Sequence, residues 1–353
     1  MLSEFIKFII VLVFTSNCSV VSAMTGVTTA RKNVSIAVYW FRNALRLHDN
    51  PSLLHACQLD KLHKDDHVDH YLCPIFIIDP KCPFAQTKDR RVGPVRANFV
   101  LESLHDLNRN LGKLDGGGKS SSRLLVLRGS PVDVLPELFS TIMNQQDIST
   151  PSANTSFHLI YEKENALPVR EMDAAVIKKL KKKIDVNHPQ HSDKLEILSF
   201  DTHSLFEMEH YVAKCKGGVA PSTMGSFRKI FSSMGDVPDE VDPVTSCPSL
   251  YPAFEQVVSS SLSFSSSSKS LFTIPSLNDL GYDVNEIWRE DPNCTFVGGE
   301  EEAMKLLQKM KRRPAWVARF EKPKTKPNAL VPDTTGLSAC KLVYNFFFRF
   351  TNH

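Results

Sequence analysis

No two of the eight cysteines stand in C-x-x-C spacing. Cys18, Cys57, Cys73, Cys82, Cys215, Cys247, Cys294 and Cys340 are scattered, which excludes a finger- or ribbon-type zinc site and leaves reduced, partly buried thiols as the plain reading. No G-x-G-x-x-G or Walker loop occurs, so both common glycine-rich phosphate cradles are missing. No Ser-His-Asp or Cys-His arrangement has the context that nucleophilic catalysis needs. His48, His55, His63, His67 and His70 are loosely grouped, but their spacing fixes no ligand geometry and no metal site is expected. A surplus of one charge sign is also absent: 42 Lys and Arg face 39 Asp and Glu, a net charge of +3. Nucleic-acid binding would therefore need a local basic surface. The apolar run Phe5 to Phe14, broken by Lys7, is too short to span a bilayer comfortably. With Val21-Ser22-Ala23 behind it, residues 1–23 resemble a secretory signal peptide. Met24 follows directly, so the alternative is translation from Met24 with 1–23 as an upstream extension. The first reading implies a secretory route, the second the nucleus or cytoplasm.

What is present suggests about two domains. Hydrophobic residues make up 42% of the chain and charged residues 23%, which supplies a real core. Ser35-Ile-Ala-Val-Tyr-Trp-Phe41 is β-branched and aromatic without strict alternation, the pattern of a strand buried on both faces. Asn50 reads as an N-cap and Pro51 as the first turn of a helix through Leu53, Leu54 and Cys57. Further strands are expected at Leu72–Ile78, Arg123–Leu127, Phe157–Tyr161 and Leu195–Phe200. Helices are expected at about 94–114, from Pro131 through Phe139, and at about 170–184; in the first, Phe99, Val100, Leu104, Leu107 and Leu111 recur at helical spacing. This alternation implies an α/β fold with an open, doubly wound parallel sheet. Ligands of such sheets bind beyond the carboxyl ends of the strands, near the topological switch point.

From about Phe206 to Gly299 the regular pattern fails. Gly217-Gly218, Pro221 and a serine cluster at Ser259–Ser270 mark a loop-rich connector, its serine tract expected to be a disordered insertion. A helical pattern returns from Gly299 to Arg313. The segment Val343–Phe350 carries five aromatics in eight residues, which need a surface to cover them. Lys178–Lys183, interrupted only by Leu180, reads as a solvated helix face, with nucleic-acid contact as the alternative.

The most informative segment is Val38-Tyr-Trp-Phe-Arg-Asn-Ala-Leu-Arg-Leu-His-Asp-Asn-Pro51. It delivers Arg42, Arg46, Asp49 and Asn50 to the carboxyl edge of the sheet. Fixed Arg and Asp there form either a structural ion pair or a surface for an anionic ligand. This segment closely resembles the amino-terminal signature of cryptochromes and DNA photolyases. Further matches follow in order: Val92-Gly93 and the helix from Phe99, Leu125-Val-Leu-Arg-Gly-Ser-Pro131, Asp173-Ala-Ala-Val, Gly217-Gly218 with Pro221, Thr223 and Phe227, Gly298-Gly299-Glu300, and Trp316-Val-Ala-Arg-Phe-Glu-Lys-Pro323. The resemblance runs from about Val34 to Ser338 and is closest to animal cryptochromes and (6-4) photolyases.

The resemblance implies a flavodoxin-like doubly wound domain at 34–205, a connector at 206–297, and at 298–353 the truncated beginning of an all-helical FAD domain. It implies blue-light chemistry on FAD, with a folate or deazaflavin antenna, serving either signalling or light-driven repair of pyrimidine lesions. DNA or clock and signalling proteins are the implied partners. The stretch Thr334, Thr335, Gly336, Leu337 and Ser338 inherits flavin-phosphate contact. Physically, hydroxyls and a glycine before a helix make an anion nest, or a plain helix cap with Ser338 as N-cap. Beyond Ser338 the sequence departs from the family pattern, and Ala166, Leu167 and Met172 depart within it. The chain is therefore expected to lack most of the flavin site, to be inactive in repair alone, or to act as a truncated isoform through partner binding.

Overall fold

A computed structural model describes residues 33–59, 68–79, 92–114, 124–149, 154–201, 204–252, 254, 273–282 and 297–315. Strands and helices alternate: β1 (Asn33–Phe41), α1 (Pro51–Cys57), β2 (Val68–Ile78), α2 (Pro94–Leu114), β3 (Leu125–Arg128), α3 (Pro131–Ser149), β4 (Asn154–Lys163), α4 (Leu167–Asn187) and β5 (Leu195–Asp201). Every pairing is parallel, and the five strands lie in the order β3-β2-β1-β4-β5. The doubly wound sheet expected from the sequence is thus observed. Within that class, this order places the switch point between β1 and β4.

β1 shows why the sheet needs both layers. Ala37, Tyr39 and Phe41 enter one core with Leu53 and Ala56 of α1 and Leu104, Leu107 and Leu111 of α2. Ile36, Val38 and Trp40 enter the other, with Val134, Leu138 and Phe139 of α3 and Val176, Leu180 and Ile184 of α4. The strand's two-residue period feeds two cores at once, so no charged residue interrupts it. Each fully buried Leu, Ile or Phe contributes about 1.5–3 kcal/mol.

Element ends differ from the sequence expectation. β2 begins at Val68 and β4 at Asn154, because both pair with β1 from its first residue, Asn33. Their polar leading residues carry no apolar signal and are held as strand by the ladder. α4 begins at Leu167, with Pro168 in its first turn where the missing N–H costs nothing. α3 continues to Ser149 and contains Pro136.

Among the described residues from Phe206 to Ser233, two short helices appear that the sequence pattern did not reveal, α5 (Met208–Lys214) and α6 (Met224–Ser232). A long extended segment follows and is fastened to the sheet domain. The Val241 N–H donates to Asp49 at 3.1 Å, the Leu72 N–H to the Ser249 carbonyl at 3.1 Å, and the Tyr251 hydroxyl to Gln146 at 2.7 Å. The last described helix is α7 (Glu300–Lys311). The serine tract, Trp316–Pro323 and Val343–Phe350 lie outside the described residues. Among the described residues, no helix is long and apolar enough to cross a membrane.

Candidate functional site

The carboxyl edge of the sheet at the β1/β4 switch point is built from the loop after β1 and the last residues of β4. The loop turns back over the sheet, so its first N–H groups lose their ladder partners. Glu162 of β4 replaces them. The N–H of Arg42 donates to its carboxylate at 3.0 Å, that of Ala44 at 2.8 and 2.9 Å, and that of Asn43 also donates to it. Successive backbone N–H groups converging on one point form an anion nest. Here a carboxylate of the same chain, 1% exposed, fills it.

Arg42 closes the mouth of the same crevice. Its Nη1 donates to both carboxylate oxygens of Asp173 on α4, at 3.1 and 3.0 Å, and to the Glu162 carbonyl at 3.3 Å. The guanidinium lies over the rings of Trp40 and Tyr161, 4.8 and 5.8 Å from their centroids. Burial pushes the Asp173 carboxyl up, and the Arg42 charge opposes it without reversing the direction. Burial likewise raises the Tyr161 hydroxyl.

Arg46, Asp49 and Asn50 are structural. Arg46 is 1% exposed, and its guanidinium donates to the carbonyls of His48 at 3.0 Å and Asp49 at 2.8 Å. Asp49 sits at φ 45°, a region that a short polar side chain tolerates. Asn50 caps α1 as expected, accepting from the Leu53 N–H at 3.1 Å. Its side chain also receives the Tyr39 hydroxyl at 3.0 Å and donates to the Arg46 carbonyl at 3.1 Å. Of the two readings of this segment, the structural ion pair is the one observed for Arg42.

The same loop seats α7. The N–H groups of Leu47 and His48 each donate to the Glu300 carboxylate at 2.9 Å, and His48 Nδ1 lies 2.8 Å from it. Asp106 of α2 accepts from the N–H of Glu300 at 2.7 Å and of Glu301 at 3.2 Å, capping the first turn of α7 from a different helix. The Gly298 N–H donates to Glu102 at 2.7 Å. The two glycines are needed for this approach. A Cβ on Gly298 would collide with the Phe99 carbonyl oxygen, and Gly299 has φ 125° with the Asp106 side chain where a Cβ would sit. Sequence reasoning met this triplet only as a resemblance. A physical signal was present in two adjacent glycines ahead of an acidic helix start.

The remaining expectations fall out as follows. Thr334, Thr335, Gly336, Leu337 and Ser338 lie outside the described residues. His63 and His67 do as well; His70 bridges Ser35 and the Ala56 carbonyl, His55 packs on Phe200, and His48 meets Glu300. No group of three or more His, Cys, Asp or Glu among the described residues could hold a metal ion. In the basic face of α4, Lys179 pairs with Asp133 and Lys183 with Glu137, tying α4 to α3. Glu162, the centre of the nest, was missed because nothing local in the sequence marks it.

A family model described as DNA photolyase matches residues 37–245, which include the whole switch point. Cryptochrome-1 of Spalax judaei is 32% identical over 324 residues, 90% of this chain and 46% of that protein. Cryptochrome-2 of Gallus gallus is 31% identical over 87% of this chain and 45% of its own length. The chain thus spans about half the length of the curated relatives it matches. A solved bacterial class III photolyase from Agrobacterium tumefaciens shares the fold, with a TM-score of 0.54 at 18% identity over 91% of this chain and 53% of that one. With the family model laid across the sheet domain, and about a third of its residues shared with cryptochromes over 90% of its length, the chain belongs to the cryptochrome/DNA photolyase family.

Proposed function

We propose that this chain belongs to the signalling side of its family, and that its sheet domain is the platform on which a helical flavin domain begins. The carrying observation is the seating of α7: Glu300 and Asp106 lock the first helix after the connector onto the loop that bears the family signature. The likeness to proteins named cryptochromes supports signalling over repair.

The flavin is not a ligand of the sheet domain itself. At the switch point the nest for an anion is filled by Glu162 and its mouth closed by Arg42 and Asp173, so a flavin phosphate does not fit there. Flavin contact is assigned instead to Thr334–Ser338, by family resemblance. The 353 residues alone then hold flavin weakly or not at all and do not repair pyrimidine lesions. Clock or signalling proteins are the proposed partners, and DNA is the partner on the repair side of the family. A near-ultraviolet to blue absorption spectrum of the purified chain tests this. No stoichiometric flavin band is expected; such a band, bleached by blue light under reductant, would overturn the proposal. The same spectrum reads out a bound folate or deazaflavin antenna.

A second reading, partner binding without photochemistry, is favoured by α5 and α6. Neither buries a residue; Val212 and Met224 within them stand 49% and 67% exposed, and Val219 between them 71%. Capture of a full-length cryptochrome, equal in light and dark, is its expected result.

A further inference from the structure

Cys57 ends α1, and Cys247 lies in the extended segment that follows α6. Their sulfurs are 3.8 Å apart, across 190 residues of sequence. Both are reduced and half-buried. By contrast Cys73 has no exposure, and burial pushes its thiol up to about 12. Cys57 and Cys247 share the wall of a solvent-open cavity of about 610 Å³, whose polar lining includes Gln58, Asp242, Thr245 and Ser246. That volume lies in the range of about 300–1,000 Å³ that admits small ligands.

We propose that Cys57 and Cys247 form a thiol–disulfide site for a small peptide disulfide of the glutathione class, and that its oxidation clasps the connector to α1. The thiolate of one cysteine attacks a sulfur of the small disulfide, breaks its S–S bond and releases one small thiolate. The thiolate of the second cysteine then attacks the protein sulfur of that mixed disulfide. The Cys57–Cys247 bond forms and the second small thiolate leaves. Two protein thiols are oxidised, one small disulfide is reduced to two thiols, and the two protons from the cysteines pass to them through solvent.

The backbone is prepared for the bond. α1 is fixed by the Asn50 cap at one end and the packing of Leu53 and Ala56 along its length. Cys247 is held between the buried Val244 and the Leu72–Ser249 hydrogen bond. Bringing the sulfurs from 3.8 Å to a bond of about 2.0 Å therefore falls to side-chain rotation rather than to chain movement. The connector leads from the sheet domain toward α7, so the clasp would fix the route by which the two are joined.

The test uses the full chain equilibrated with oxidised and reduced glutathione at varied ratios, then alkylated and digested without reductant. The expected product is a Cys57–Cys247 cross-linked peptide, 2 Da lighter than the sum of the two thiol peptides. Its formation should raise the thermal midpoint by several degrees, and C57S and C247S should each abolish both the cross-link and the shift. Recovery of both residues as alkylated thiols in the most oxidising buffer would overturn the proposal. So would glutathione carried separately on each cysteine, or pairing of either with Cys215. The peptide readout is made on the unmutated protein, so it stands even if a variant folds poorly.

Discussion

The Arg42–Asn50 loop and the α5–α6 pair treat their side chains in opposite ways. The loop has no repeating backbone, yet Ala44, Leu45, Arg46, Leu47, Asp49 and Asn50 are all buried. α5 and α6 are regular helices, yet bury none of their residues. The difference lies in who satisfies the polar groups. A helix satisfies its own backbone and can remain on the surface. A buried irregular loop cannot, and its N–H groups must find acceptors elsewhere. Glu162 and Glu300 supply them, from sites up to 253 residues away. A loop of this kind is thus tied to the fold at several points, and the helices are the part left available to something else.

The largest effect is expected from Glu162→Ala, which strands three N–H groups in the interior. Each buried unsatisfied donor costs about 1–3 kcal/mol, so urea unfolding should show a loss of about 3 kcal/mol or more. A loss under about 1 kcal/mol would mean that water replaces the carboxylate and that the loop is less dependent on its partner than argued. Gly298→Ala comes next. Overpacking against the Phe99 carbonyl should cost about 1–3 kcal/mol, and hydrogen exchange should rise across α7 while β1 stays protected. Exchange rising equally in β1 would show that α7 is part of the sheet domain's cooperative unit. Asn50→Ala removes the cap of α1 and should cost about 1–2 kcal/mol.

Two histidines shape the pH dependence with opposite signs. Burial lowers the pKa of His188. Below its ordinary 6.5 the unfolded chain takes a proton that the folded one refuses, so stability falls as pH drops through that value. The Glu300 hydrogen bond raises the pKa of His48. Its contribution is complete below 6.5 and is lost as pH climbs through the raised folded value. His48 is 42% exposed, so solvent screens its pair and the alkaline limb is the shallower one. H188N should flatten the acid limb of a stability–pH curve and H48N the alkaline limb; an unchanged curve for either would remove that residue from the account. The smallest effect is expected at the other end of the comparison. Val219→Ser should lie within about 0.5 kcal/mol of the parent, and a cost of about 2 kcal/mol would mean the surface is covered after all.

The sheet was legible because β1 and its neighbours are apolar runs between turn residues, and the helices between them keep their period. The leading ends of β2 and β4 were not, because Asp69, His70, Asn154 and Thr155 become strand only by pairing with β1. At the switch point, Arg42, Arg46, Asp49 and Asn50 were legible as a loop with fixed charges. Their partners were not: Glu162 lies 120 residues from Arg42 and Glu300 253 from Leu47, and no local pattern announces a long-range acceptor. Asp173 and Gly298-Gly299-Glu300 were flagged by resemblance alone, and the structure supplies the physical reason for each. α5 and α6 escaped notice because each is short and their aromatic residues Tyr211, Phe227 and Phe231 pack on one another and on Phe206 rather than on the sheet.

The central position of β1 sets a schedule for synthesis. It is the first strand of the sheet to leave the ribosome, but one of its edges waits for β4, about 120 residues later. At translation speeds of about 5–20 residues per second, that wait is roughly 6–24 s. During it the nascent chain displays an apolar strand with one edge unpaired, which is a template for wrong pairing.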